Sequence, residues 1–371
     1  MELQLDTSKI YAIALEGGGA KGAYQVGVWR ALEEAGIRYN AVSGTSVGAL
    51  NGAMMAMRDL NMAEKLWKDI RFSQVMNVDD DTMKRIMNRD FENFGQVKEA
   101  LRTIRDVVLS GGFDTEPLRN LVAEHVDEEK LHNSGVEFFL STYPLTDRKE
   151  LDVDAKELAP GELQNMRLAS AYFPAFKQEK IGGKHYTDGG VYDAIPINAL
   201  VTRGYKNLIV VRIYGFGIER RVKIPEDVNI TTIAPTNSLG NMLNFSSENS
   251  ANNMVLGYYD AQKVLYGLQG RDYYIDRTMT EEEAYEILLS LTRHPGISLR
   301  ELNEEILPAL AKRLDTEGDY YDLFLALLER MAQARAISPF RIRTDREFYQ
   351  EIMAAEGNRT PDKLLDLYLN P

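Results

Sequence analysis

The 371-residue chain contains no cysteine. Disulfides, thiolate metal sites and a cysteine nucleophile are therefore excluded. Histidine is scarce: His125, His132, His185 and His294 are the only four. Positive charge is in deficit, with 43 basic residues against 56 acidic ones and a formal net charge of -13. A nucleic-acid partner would want a basic surface and is not expected. The same balance gives no overall attraction to anionic membranes, although it leaves room for a local patch. The opening residues, Met-Glu-Leu-Gln-Leu-Asp, lack a basic n-region and an apolar h-region, so no Sec-type signal peptide is expected and the cytoplasm is the default compartment. One uncharged run, Tyr39 to Met57, spaces Gly44, Gly48 and Gly52 like a helix-dimerising membrane segment. Ser43, Thr45, Ser46 and Asn51 make it too polar to span a bilayer, and no transmembrane helix is expected.

What is present is an ordinary globular mix, 44% hydrophobic and 27% charged, able to bury a core. Ile10 to Leu15 reads as a short buried strand. Gly17-Gly18-Gly19-Ala20-Lys21-Gly22 follows, and then a helical pattern through Tyr24, Val28, Ala31, Leu32 and Ala35, stopped by Gly36. Tyr39 to Val42 is the next apolar piece, and it runs into a serine turn and a second helix. This βαβα start favours a parallel sheet with helices on its faces. Residues 62–129 read as mainly helical, with Asp79-Asp80-Asp81 as a solvated turn. No metal site is expected there, because three successive carboxylates do not converge on one ion without other ligands. Val136 to Thr142 and Lys149 to Val153 read as strands, Met166 to Phe176 as a helix ended by Pro174 and Lys184 to Thr187 as a strand delivering Asp188. Asn207 to Tyr214 reads as a central strand. Phe245 to Leu268 is helical. After Arg277 the character changes: Thr280 and Glu283 fit a capping box, and Leu323, Leu327, Leu328 and Met331 form a helical stripe. The expected organisation is one α/β domain over 9–277 and a helical region over 278–371.

Three elements can carry chemistry. Gly44-Thr45-Ser46-Val47-Gly48 is a G-x-S-x-G sequence between a strand and a helix. That context suits a nucleophile elbow, and Gly44 and Gly48 remove side chains from the crowded turn. The triple glycine leaves backbone N–H groups bare at a helix start, where each donor to a tetrahedral oxyanion is worth about 3–4 kcal/mol. Gly17, Gly19 and Gly22 also satisfy a dinucleotide fingerprint, but the second strand then runs into Ser43-Gly44-Thr45-Ser46 instead of ending in an acid. Asp188-Gly189-Gly190 is the third element; by itself it reads equally as an Asp-Gly turn. A serine needs a proton acceptor, usually histidine. Only His294 follows Asp188, and it lies in the helical region; His185 precedes Asp188 by three and would face the opposite side of a strand. Surface positions suit all four histidines, and this moves Asp188 from orienter to direct base.

Taken in order, Glu16-Gly-Gly-Gly-Ala-Lys-Gly22, Gly44-Thr-Ser-Val-Gly48 and Asp188-Gly-Gly190 resemble the patatin-like phospholipase family. Ala169-Ser-Ala171 with Pro174, Ile195-Pro196, and Gly257-Tyr258 before Asp260-Ala261 extend the resemblance over residues 9–268. It implies a three-layer α/β/α sandwich with a mainly parallel central sheet, to which the helical C-terminal region is appended. It implies a Ser-Asp dyad that cleaves acyl esters of glycerolipids without a metal or cofactor. Ser46 would be the nucleophile and Asp188 its base, and Gly17, Gly18 and Gly19, with the Val47 amide, would supply oxyanion donors. Gly22, Gly44, Gly48, Gly189 and Gly190 would support the motifs. Lys21 is a candidate contact for a lipid phosphate, with a solvated lysine at a helix start as the equal alternative. The partner is then a lipid or acyl ester, met through transient peripheral membrane contact. Glu16 replaces a frequent aspartate, and Asp193 a frequent asparagine. An acyltransferase or thioesterase would use the same machinery, and a noncatalytic lipid-binding or storage protein would keep only the fold. Head-group preference and oligomeric state are not encoded in these motifs.

Overall fold

The structure, a computed structural model, describes residues 1–88, 94–109, 111–114, 116–144, 151–159, 161–170, 180–181, 184–188, 190, 193–215, 217–219, 223–293 and 296–355. The chain forms two compact units, one of Leu5–Ala261 and one of Met1–Gln4 with the chain from Gln262 onward.

The first unit opens as the glycine punctuation requires. Strand β1 (Ile10–Leu15) leads through a tight 3₁₀ turn, Gly19–Gly22, into helix α1 (Ala23–Glu34). Strand β2 (Arg38–Thr45) feeds helix α2 (Val47–Ala56). Among the described residues α3 (Leu60–Asp69), α4 (Phe72–Val75), α5 (Asp80–Asn88), α6 (Phe94–Leu109), α7 (Glu116–Glu124) and α8 (Glu128–Asn133) follow. The chain then runs through β3 (Glu137–Pro144), β4 (Leu151–Asp154), α9 (Glu162–Ser170), β5 (Lys180–Ile181), β6 (Lys184–Asp188), α10 (Ile197–Val201), β7 (Asn207–Val211), β8 (Asn229–Ile233) and α11 (Ser247–Tyr266). Asp79-Asp80-Asp81 does not form a free turn. The Asp79 carboxylate accepts the N–H and hydroxyl of Thr82, and Asp80 and Asp81 lie in the first turn of α5, where acidic side chains favour the helix dipole.

The sheet runs β5-β6-β3-β2-β1-β7-β8, with β4 also on β3. β3, β2, β1, β7 and β8 are mutually parallel, while β4 and β6 run antiparallel to β3. Alternation along the parallel strands divides the core into two faces. Ala12, Ala14, Ala41, Phe139, Leu208 and Val210 pack with Ala199 and Leu200 of α10 on one face. On the other, α2 approaches so closely that a Cβ at Gly52 would stand 2.8 Å from the Phe138 ring and 3.2 Å from Val42. The result is a mixed α/β unit with helices on both faces of a mostly parallel sheet.

The second unit is built on helices α12 (Glu281–Thr292), α13 (Leu299–Glu301), α14 (Leu307–Leu314), α15 (Tyr320–Ala334) and α16 (Asp345–Ala354). The capping box is present: the Thr280 hydroxyl accepts the Glu283 N–H, and the Glu283 carboxylate accepts the Thr280 N–H. Leu288, Leu302, Leu310, Phe324, Leu328 and Phe348 fill its core, each contributing about 1.5–3 kcal/mol of apolar burial. The unit is not purely helical, since β9 (Tyr274–Asp276) and β10 (Ile342–Thr344) form a short parallel pair. No helix among the described residues is long and apolar enough to cross a membrane.

Candidate active site

Ser46 is the single residue between β2 and α2, and its backbone is strained, with φ 55° and ψ -123°. Such a conformation costs of order 1–3 kcal/mol and persists only where its surroundings fix it. A Cβ at Gly44 would fall 2.2 Å from the Gly48 carbonyl oxygen, and one at Gly48 would fall 2.4 Å from that of Leu15. Both positions therefore require glycine. The strand is tied down by its own hydroxyls: Ser43 donates to the Pro196 carbonyl (2.9 Å) and Thr45 to that of Asp193 (3.1 Å). The Ser46 N–H donates to the hydroxyl of buried Ser170 (2.9 Å), which donates onward to the Ser141 carbonyl (2.6 Å).

The glycine loop lies against this turn. A Cβ at Gly17 would approach the Ser46 Cβ to 3.2 Å, and one at Gly19, whose φ is +58°, would meet the Met242 carbonyl oxygen at 2.3 Å. The three glycines are not equivalent donors. The Gly17 N–H is engaged by the Ala194 carbonyl at 3.0 Å, so the expectation that all three amides face an oxyanion fails at Gly17. The N–H groups of Gly18, Gly19 and Val47 have no acceptor among the described residues. Gly22 sits where any side chain would strike Val47, at 2.4 Å.

Glu16 is the least anticipated part. It is 3% exposed, and its carboxylate accepts the N–H groups of Ile213 (2.6 Å), Tyr214 (3.0 Å) and Gly215 (3.4 Å), with Arg212 Nε 3.8 Å away. Burial pushes this carboxyl above its ordinary value, against those hydrogen bonds and Arg212. Lys21 Nζ donates to the Tyr214 carbonyl (2.6 Å), and burial lowers its ammonium pKa. Glu16 and Lys21 thus hold one turn from both sides. That turn abuts the glycine loop: a Cβ at Gly215 would stand 1.8 Å from the Gly17 carbonyl oxygen. Below the loop runs a buried polar chain. Trp67 Nε1 donates to Asn51 Oδ1 (2.9 Å), Asn51 Nδ2 donates to Gln25 Oε1 (2.8 Å) and the Gly22 carbonyl (2.9 Å), and Gln25 Nε2 donates to the Glu16 carbonyl (2.7 Å). It joins α1, α2 and α3 beneath both motifs. Its sequence signal is two amides, Gln25 in the apolar first half of α1 and Asn51 in apolar α2.

Asp188 ends β6, in register with Thr142 of β3, while Thr45 of β2 is in register with Ser141 of β3. One strand therefore separates Asp188 from the end of β2, two strand spacings or about 10 Å between backbones. The Thr142 hydroxyl is buried there without a hydrogen-bond partner. Gly190 is buried and its carbonyl accepts the Ile218 N–H (2.9 Å); Gly189 lies outside the described residues, as does His294. His125 and His132 each donate a ring N–H to the carbonyl four residues back, at 2.9 and 2.7 Å. No group of three or more acids and histidines suited to a metal occurs among the described residues.

A serine on a strained strand-to-helix turn, at one end of a mostly parallel sheet and beside amides that have no acceptor among the described residues, defines the class of elbow-serine α/β proteins. Within that class the chain belongs to the patatin-like phospholipase family, whose model matches residues 13–201 and takes in all three motifs. It is 26% identical over 202 residues to lysophospholipase NTE1 of Mycosarcoma maydis, covering 54% of this chain and 9% of that protein. It is 48% identical over 61 residues to lysophospholipase nte1 of Aspergillus terreus (strain NIH 2624 / FGSC A1156), covering 16% of this chain and 4% of that protein. Among solved structures it is similar to VipD from Legionella pneumophila, at 14% identity and a TM-score of 0.41, over 97% of this chain and 90% of that one. The chain spans less than a tenth of the length of these two curated relatives.

Proposed function

We propose that the chain is a serine lipid acyl hydrolase that cleaves fatty-acyl esters of phospholipids or related glycerolipids through an acyl-serine. The observation that carries this reading is the strained Ser46 turn lying beside the N–H groups of Gly18, Gly19 and Val47, which have no acceptor among the described residues. Family membership supports it. In this mechanism Ser46 Oγ attacks the ester carbonyl carbon while Asp188 takes the hydroxyl proton. The charge that develops on the carbonyl oxygen is met by Gly18, Gly19 and Val47, without Gly17. The C–O bond to the leaving alcohol breaks, and Asp188 returns the proton to that oxygen. Water, deprotonated by Asp188, then attacks the acyl-serine, releasing the fatty acid and restoring Ser46.

The test is to incubate the purified protein with mixed phospholipids and neutral glycerides and identify the products by mass spectrometry. Fatty acid and the matching deacylated lipid accumulate with the wild type and not with Ser46→Ala. Equal release by both proteins would overturn the reading. Products with acyl groups moved onto added glycerol or lysolipid would assign an acyltransferase instead.

A further inference from the structure

One buried hydroxyl is left over from the hydrogen bonding that holds the elbow. Ser43 and Thr45 donate to the carbonyls of Pro196 and Asp193, Ser141 donates to the Asp152 carboxylate, and Ser170 links the Ser46 N–H to the Ser141 carbonyl. The next residue, Thr142, is 0% exposed, and its hydroxyl has no hydrogen-bond partner among the described residues. Burying a hydroxyl in that way costs free energy. Packing gives no reason for it, because valine has the same branched shape and strand preference without the polar group. The sheet fixes where Thr142 lies. Phe139 of β3 packs on the α10 face, and Phe138 meets α2 at Gly52. Thr142 follows Phe138 by four residues and so lies on the α2 face. Thr45 is in register with Ser141, which puts Thr142 level with Ser46, the residue before α2. On the other edge of β3, Thr142 is the cross-strand partner of Asp188. Facing residues of an antiparallel pair share one face of the sheet. Thr142 therefore stands between the positions of Ser46 and Asp188.

We propose that Thr142 is a positioning residue for the base: its hydroxyl donates to the Asp188 carboxylate while that carboxylate takes the Ser46 proton, an inference that rests on the hydrolase reading. An ionised carboxylate accepts several hydrogen bonds at once, so one oxygen can be held while the other receives the proton. A hydroxyl donating to a charged acceptor makes a stronger bond than it makes to a neutral one, and its hydrogen rotates to suit. Catalytic hydrogen bonds often tighten only once substrate is bound, which fits a donor kept ready at the strand end. Thr142 keeps its own proton throughout. Its effect is on the placement of Asp188, and the transfer from Ser46 to Asp188 is unchanged in its atoms and charges. The unpaired hydroxyl is thus a cost to the fold that serves the reaction.

The experiment is a double-mutant cycle on the full chain, read as the rate at which a fluorophosphonate labels Ser46. Thr142→Val slows labelling by about tenfold or more, as expected for losing a hydrogen bond to a charged group. Its Tm stays at or above that of the wild type, because the hydroxyl it removes is unpaired. Thr142→Ser, which restores the donor, labels within about threefold of the wild type. In an Asp188→Ala background the same Thr142→Val change alters the rate by less than about twofold, since the group it positions is gone. With a soluble ester, Thr142→Val lowers kcat and leaves KM in place. Labelling of Thr142→Val within about twofold of the wild type, or of Thr142→Ser as slow as Thr142→Val, overturns the proposal. A lowered Tm in Thr142→Val, with an equal loss of rate in the Asp188→Ala background, assigns the hydroxyl to the fold and overturns it too. A wild type whose Ser46 is never labelled overturns this role and the dyad together. The expected coupling in a protein that releases no fatty acid from any lipid sinks the lipid hydrolase reading alone.

Discussion

The two units use the same device for different ends. In the first, buried Glu16 accepts the backbone N–H groups of Ile213, Tyr214 and Gly215. In the second, buried Glu329 accepts those of Arg271, Asp272 and Tyr273 through one oxygen. Burial pushes both carboxyls up, against the backbone hydrogen bonds they receive. Each carboxylate pins a turn and pairs one buried N–H that would otherwise lack it as a partner, that of Ile213 in the first and of Tyr273 in the second. The difference is in what the turn supports. The Glu16 turn abuts the Gly17 carbonyl, next in the chain to the Gly18 and Gly19 amides, which have no acceptor among the described residues. The Glu329 turn lies within the second unit, in the segment between α11 and β9. Removing the two carboxylates therefore separates a positioning role from a purely structural one.

The largest contrast is expected from alanine. Glu16→Ala and Glu329→Ala each strand a buried amide and lower stability by about 2–4 kcal/mol in urea unfolding. Only Glu16→Ala also lowers kcat for a soluble ester, by about a hundredfold, because a small displacement of the glycine loop misplaces the oxyanion donors. Glu329→Ala keeps kcat within about twofold. Equal kcat losses in both variants would erase the distinction. Next in size is Ser170→Ala, which removes the acceptor of the Ser46 N–H; kcat falls about tenfold with about 1 kcal/mol of stability. A wild-type kcat in this variant would show that the elbow holds without it.

A smaller effect concerns pH. The folded carboxyl of Glu16 is raised, so its contribution to stability is fully present below the ordinary carboxyl range and is lost as pH rises through the folded value. The Tm difference between wild type and Glu16→Gln, taken as wild type minus variant, should shrink as pH rises across the mildly acidic range, and Glu329→Gln should behave alike. A difference that grows with pH contradicts the raised carboxyl. Smallest is Thr280→Ala, which loses one half of a capping box and lowers stability by about 1 kcal/mol with no change in kcat.

What the sequence disclosed was what depends on neighbours along the chain. The βαβα opening was readable from glycine stops and short apolar runs, and the elbow from Gly44 and Gly48 around Ser46. The capping box at Thr280 was readable for the same reason. Contacts across the fold were not. Glu16 is about 200 residues from the turn it holds, and nothing local distinguishes it from a strand-ending acid. Gln25, Asn51 and Trp67 become a network only when α1, α2 and α3 pack together. Lys21 looked free to meet a phosphate because its partner, the Tyr214 carbonyl, is equally distant in sequence. Gly17 looked identical to Gly18 and Gly19 until the Ala194 carbonyl took its N–H. The strand carrying Asp188 was expected, but its antiparallel pairing with β3 was not, since direction follows from the connection and not from the strand's own residues.

The most direct test of the account is the rate at which a fluorophosphonate probe labels the folded protein, with the modified residue located by peptide mass spectrometry. One adduct is expected, on Ser46, with labelling of Asp188→Asn slower by about 10²-fold or more, as for loss of a general base. An unlabelled Ser46 in the folded wild type, or an Asp188→Asn variant labelled at the wild-type rate, would contradict it.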